Sequence, residues 1–143
     1  MGKVLKVKYH SDIDPIRQVE GSDWIDLRAA EDVYLEEGGY KRISLGVSME
    51  LPDGYEAMVI PRSSTFEKYG ILLADGVGLI DNTYCGTHDI WQFPAYATRD
   101  TFIQKNTRIC QFRIMKNQES LAIQKVEELM NEERGGFGST GEI

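Results

Sequence analysis

The twelve residues YKRISLGVSMEL, from Tyr40 to Leu51, decide the fold class of this 143-residue chain. Ile43, Leu45, Val47, Met49 and Leu51 fall on one face, with Arg42, Ser44, Ser48 and Glu50 on the other. Two-residue alternation marks a strand with one buried face, so the spacing predicts a single half-buried strand here. Working outward, Gly38-Gly39, Pro52-Asp53-Gly54, Asp75-Gly76, Cys85-Gly86 and Lys116-Asn117 are turn signals between short runs rich in Val, Ile, Leu and Tyr. Those runs predict further strands at Val4–Tyr9, Tyr55–Ile60, Gly70–Leu73, Ile90–Ala97, Phe102–Gln104, Ile109–Met115 and Leu121–Val126. Many short strands with regular turns read as an all-β sandwich or barrel. Pro94 lacks an N–H donor and is expected on an edge strand or at a bulge. One short helix is expected: Ser64 followed by Glu67 has the capping-box spacing, and Gly70 supplies a stop.

Composition bounds the reading. With 41% hydrophobic and 27% charged residues, the chain is one globular domain of ordinary balance. No apolar run approaches the roughly 20 residues that span a bilayer, and MGKVLKVKYH lacks a signal-peptide core, so a cytoplasmic location and no membrane partner are expected. Two cysteines, Cys85 and Cys110, and two histidines, His10 and His88, offer no zinc spacing. Both cysteines read as reduced thiols, Cys110 as a buried one. A net charge of −7 argues against nucleic acid as a partner, because such binding rests on cations neutralising phosphates. A small phosphorylated ligand remains open, since local arginines can outweigh the global sign.

Two segments point to such a ligand. RGGFGSTG, residues 134–141, joins glycines, Arg134, Phe137, Ser139 and Thr140. Glycine N–H groups, a guanidinium fork and hydroxyls suit phosphates, and Phe137 could cover a base; composition alone also fits a disordered tail. EELMNEE after Val126 reads as an acidic tether, which divides the chain into a β domain over 1–126 and an arm over 127–143. Arg62 and Ser63 lie at the start of the expected helix, where an anion could sit, although a solvated arginine on a surface turn fits equally.

Taken in order, DLRAA from Asp26, PRSS from Pro61 to Ser64, GLIDNTYCG from Gly78 to Gly86, RICQF from Arg108 to Phe112 and the arm resemble the five motifs of the homotrimeric dUTPase family. The resemblance runs from about Val4 to Gly141. It implies a jelly-roll-like β-sandwich with one short helix and a flexible C-terminal arm, forming a homotrimer with shared active sites. It implies Mg²⁺-dependent hydrolysis of dUTP to dUMP and pyrophosphate. By motif match, Asp81 is the base that holds the attacking water, and Asp26 stands near Mg²⁺ through water. Tyr84 packs under the deoxyribose and excludes a 2′-hydroxyl, within a hairpin around Asp81–Tyr84 that reads uracil by its backbone. Arg62, Ser63 and Ser64 contact phosphates, with Ser63 at the oxygen bridging the α and β positions. Gln111 is a phosphate-side contact, and Arg108 is partly structural. Arg134, Gly138, Ser139 and Thr140 close on the terminal phosphates, with Phe137 as the lid.

The chain departs from the family pattern at several positions. Asp23, Trp24 and Ile25 replace small residues before the first motif, and Asp75 stands where asparagine is common in the base pocket. Cys85 and the Asn106-Thr107 pair also differ. The aromatic run HDIWQFPAY, residues 88–96, reads as core packing or, alternatively, as supplying Phe93 as a second candidate lid. Two other functions stay open: a dCTP deaminase-like or bifunctional enzyme of the same fold family, and a regulatory protein whose nucleotide state governs a protein partner.

Overall fold

In the computed structural model, which describes residues 2–136, the alternation along Tyr40–Leu51 survives but the strand does not stay whole. Ile43, Leu45, Val47, Met49 and Leu51 are all buried. Between them the chain passes from one sheet to another at Gly46, whose φ of 69° is in the left-handed region. A Cβ at that position would stand 2.9 Å from the Ala30 Cβ, so glycine permits both the turn and the close approach. Ser48, expected on the open face, is also buried. Its hydroxyl donates to Thr87 O at 2.9 Å, so His10 Nε2–H is the donor in the 2.8 Å bond to Ser48 Oγ.

In chain order the strands are β1 (Lys6–Tyr9), β2 (Ile25–Arg28), β3 (Val33–Leu35), β4 (Tyr40–Ser44), β5 (Val47–Glu50), β6 (Tyr55–Pro61), β7 (Ile71–Leu73), β8 (Gly78–Ile80), β9 (Gln92–Ala97), β10 (Thr101–Ile103) and β11 (Arg108–Lys116). The helix α1 (Thr65–Tyr69) lies between β6 and β7. The strands form sheets ordered β2-β11-β6-β8 and β4-β9-β7, with two-stranded pairs β1-β5 and β10-β3. Every pairing is antiparallel, giving a jelly-roll-like sandwich. Its core includes Leu27, Ile43, Val59, Trp91, Phe93, Ile109 and Phe112. Trp91 and Phe112 meet edge to face, with centroids 5.2 Å apart and planes at 77°.

Several expectations are corrected. Pro94 lies on β9, the middle strand of its sheet, and not on an edge. Its carbonyl accepts from Ala74 N, just past the end of β7 at Leu73. A strand residue points its N–H and C=O to the same side, so the missing donor faces a place where β7 has already ended. Ser64 stands at the helix N-cap but makes no side-chain cap bond, and the adjacent Thr65 hydroxyl accepts from Arg62 N instead. The hairpin expected around Asp81–Tyr84 is a tight turn, closed by Tyr84 N donating to Asp81 O at 3.0 Å. The strand expected at Leu121–Val126 does not form. Residues 117–136 contain neither helix nor strand, and Ile123 is 96% exposed. A strand needs a hydrogen-bonded neighbour, and this segment pairs with no strand among the described residues. Among the described residues no helix is long and apolar enough to cross a membrane.

Candidate active site

One cluster forms where β2, β6 and β11 end together. Register pairs Asp26 with Gln111 across β2 and β11, and Pro61 with Cys110 across β6 and β11. The Asp26 carboxylate therefore faces the loop that leaves β6. Arg62 Nε stands 3.2 Å from Asp26 Oδ1, and Arg108 Nη1 stands 3.2 Å from Oδ2. Two guanidinium groups around one carboxylate leave a local excess of positive charge within an acidic chain, the field an anion needs. A cavity of about 260 Å³ opens beside them, lined in part by Arg17, Arg28, Asp26, Arg108 and Gln111. Ser63 and Ser64 occupy the same loop, and Gln111 Nε2 donates to Pro61 O at 3.2 Å, bracing the strand end from which the loop departs.

Cys110 lies directly beneath this cluster. Burial, reinforced by the negative charge of Asp26, pushes its thiol far above its ordinary range, so it stays protonated and inert.

A second cluster surrounds a cavity of about 450 Å³ between the turn after β8 and the outer face of β9. Asp75, Gly78, Asp81, Thr83, Tyr84, Gln92 and Arg42 line it. Asp81 Oδ1 accepts from Thr83 N at 3.0 Å, which fixes the carboxylate while leaving Oδ2 without a hydrogen bond among the described residues. The turn is tied to the β5–β6 connection by Asn82, whose Nδ2 donates to Pro52 O at 3.2 Å and to Tyr55 O at 3.1 Å. Tyr84 Oη donates to Ile90 O at 3.0 Å, holding the ring over the cavity mouth, where it is 40% exposed.

Asp75, Asp81 and Tyr84 are thus brought together, and so are Asp26, Arg62 and Arg108. Phe93 is not part of the cavity: it is 0% exposed in the core, because β9 turns Trp91 and Phe93 inward and Gln92 outward. The lid reading of Phe93 is therefore withdrawn. Arg134 is exposed and donates only to Gly135 O, at 3.4 Å, among the described residues. Phe137, Gly138, Ser139 and Thr140 lie outside the described residues. Gln92, Asn82 and Thr65 are additions to the sequence reading. Only the alternation of β9 could have pointed to Gln92; Asn82 lay within the GLIDNTYCG segment without a role, and nothing local marked Thr65.

Within one chain the two cavities share no lining residue, and Asp81 and Arg62 stand far apart along β6. Ile80 pairs with Ala57, so Asp81 lies level with the start of β6, whereas Arg62 follows its far end. Six residues of extended chain separate the two levels, about 20 Å.

A metal ion finds no cage of protein ligands: no group of three or more His, Cys, Asp or Glu among the described residues could hold one. Asp26 presents a single carboxylate with each oxygen already at a guanidinium. That donor set fits a hard ion that keeps its waters and takes its direct ligands from bound phosphates, the habit of Mg²⁺.

A family model described as dUTPase matches residues 11–141. The chain is 51% identical over 138 residues to the SPbeta prophage-derived deoxyuridine 5'-triphosphate nucleotidohydrolase YosS of Bacillus subtilis strain 168, covering 96% of this chain and 97% of that protein. It is 36% identical over 141 residues to the deoxyuridine 5'-triphosphate nucleotidohydrolase of Clostridioides difficile, covering 96% and 97%. Among solved structures it resembles the dUTPase of Staphylococcus bacteriophage 80alpha, with a TM-score of 0.76 at 21% identity over 90% of this chain and 99% of that one.

Proposed function

Since this chain belongs to the dUTPase family, we propose that it hydrolyses dUTP to dUMP and pyrophosphate in sites shared between the subunits of a homotrimer. The observation that carries the reading is the placing of Asp81 and Arg62 level with opposite ends of β6, about 20 Å apart along the strand, with the arginine in a cationic cluster and the aspartate beside a small cavity gated by Tyr84. A neighbouring subunit would bring its cationic cluster to this cavity, so that base and triphosphate are held by different chains.

In that arrangement uracil enters the cavity, and Tyr84 lies where a 2′-hydroxyl would collide. Asp81 orients a water through the free Oδ2 and takes its proton as the oxygen bonds to the α-phosphorus. The bond from that phosphorus to the α–β bridging oxygen breaks, and pyrophosphate leaves with the electron pair. Ser63 donates to the bridging oxygen, while Arg62, Ser64 and Gln111 hold the phosphates. Mg²⁺ bound to the triphosphate would spread its negative charge, with Asp26 reaching it through water. The arm over 127–143 supplies Arg134, Gly138, Ser139 and Thr140 to the terminal phosphates and Phe137 as lid. A cytoplasmic location follows from the substrate.

The deaminase alternative needs a glutamate poised at the base, and the described lining of the cavity offers Asp75 and Asp81 but no glutamate. Product analysis with dUTP, UTP, dTTP and dCTP, with and without Mg²⁺, tests the proposal. Pyrophosphate from dUTP alone, dependent on Mg²⁺, is the expected result. Orthophosphate, ammonia from dCTP, or equal turnover of UTP would overturn it.

A further inference from the structure

Thr65 is 1% exposed, and its buried hydroxyl both donates and accepts a hydrogen bond. Oγ1 donates to Ile109 O at 2.8 Å and accepts from Arg62 N at 3.0 Å, while Thr65 N donates to Arg62 O at 3.0 Å. The Ile109 carbonyl needs this partner. The β6–β11 ladder begins one residue later, at the Pro61–Cys110 pair, and the β2–β11 register shifts between Arg108 and Cys110. Thr65 therefore extends the ladder by a side chain at the point where the backbone of β6 has turned away into the loop.

We infer that Thr65 is a positioning residue for the reaction, setting the Arg62–Ser64 loop against β11 so that Ser63 meets the scissile oxygen. The loop is braced to β11 on both flanks, by Gln111 at Pro61 and by Thr65 at Ile109. β11 also carries Arg108, which shares Asp26 with Arg62, so one hydroxyl couples the loop to the other cation of the cluster. This inference rests on the proposed dUTP hydrolysis.

The test compares the unaltered protein with Thr65→Val, which keeps the shape but loses both side-chain bonds, and with Thr65→Ser, which keeps the hydroxyl but loses the methyl group. Displacement of a reacting group by about 1 Å costs on the order of a hundredfold in rate, so Thr65→Val should lower kcat by about tenfold to a hundredfold. Thr65→Ser should restore kcat even if its Tm falls. Amide hydrogen exchange at Arg62 should speed up in Thr65→Val and stay slow in Thr65→Ser. A lowered Tm in Thr65→Val with undiminished kcat, or a loss of kcat in Thr65→Ser, overturns the inference while leaving the functional reading intact. If Thr65→Val does not fold, Thr65→Ser decides. An unaltered protein that releases no pyrophosphate from dUTP overturns the functional reading, and this inference with it.

Discussion

Arg108 reaches across the β2–β11 pair to set Nη1 3.2 Å from Asp26 Oδ2. The carboxylate is thereby oriented by its neighbours and presents its remaining lone pairs to water. Replacing Asp26 with Asn removes the charge that both guanidinium groups and a metal-bound water would meet. Removal of such supporting groups typically costs about 10- to 100-fold, so kcat/KM should fall by that amount and more Mg²⁺ should be needed. Pyrophosphate release followed against Mg²⁺ concentration measures both effects.

Asp81→Asn separates binding from chemistry. Asparagine Oδ1 can accept from Thr83 N as the carboxylate does, so the turn should keep its shape. Turnover should fall by roughly 10² to 10⁴, the usual loss for a general base. Binding of a nonhydrolysable dUTP analogue, read by calorimetry, should hardly change, and near-normal kcat would place the base elsewhere.

The separation of Asp81 from Arg62 makes complementation the direct test of a shared site. Trimers of Asp81→Asn and of Arg62→Ala should each be nearly inactive. Mixed, dissociated and reassembled together, they should recover activity above either parent, because some sites then join an intact Asp81 from one chain to an intact Arg62 from another. Mixtures that stay as inactive as their parents would argue for a site within one chain.

Phe93→Ala should act on stability, costing about 3–5 kcal/mol as large core deletions do, since the ring is wholly buried beside Trp91. In urea melts the midpoint should fall, while dUMP affinity in the folded variant stays close to the original. Phe137→Ala should do the opposite, weakening dUMP with little change in the melt.

The thiols should divide sharply. Exposed Cys85 should react with a thiol reagent in the native state, and Cys110 only after unfolding. Unfolding releases a Cys110 thiol that ionises near its ordinary 9.0, whereas the buried thiol stays protonated well above that pH. The unfolded form then holds fewer protons, so this group lowers stability as pH rises past about 9, by up to about 1.4 kcal/mol per pH unit. Denaturant melts of the unaltered protein and Cys110→Ala across that range should differ in slope.

Much of the fold was legible because strand periodicity is local. The buried apolar residues of Tyr40–Leu51 were identifiable from their neighbours two positions away, whereas buried Ser48 broke the alternation. The structure brings Asp26 together with Arg62, and Asp75 together with Asp81 and Tyr84. β2, β3 and β8 escaped: with three or four residues a strand shows so little period that these were passed over while the equally short β7 and β10 were read. Leu121–Val126 was misread for the converse reason, an apolar pattern with no partner strand among the described residues.

Local order in the sequence thus determined the all-β class and most turn positions. Tertiary structure alone decided that Gly46 passes the chain between sheets, that β9 lies in the middle of its sheet, and that Phe93 is core while Gln92 meets the cavity. It also decided that Asp81 and Arg62 stand at opposite ends of β6 and that Thr65 closes the ladder at Ile109. Those outcomes depend on which strands pair and in what register, and pairing is set by contacts between residues far apart in sequence, which no local pattern encodes.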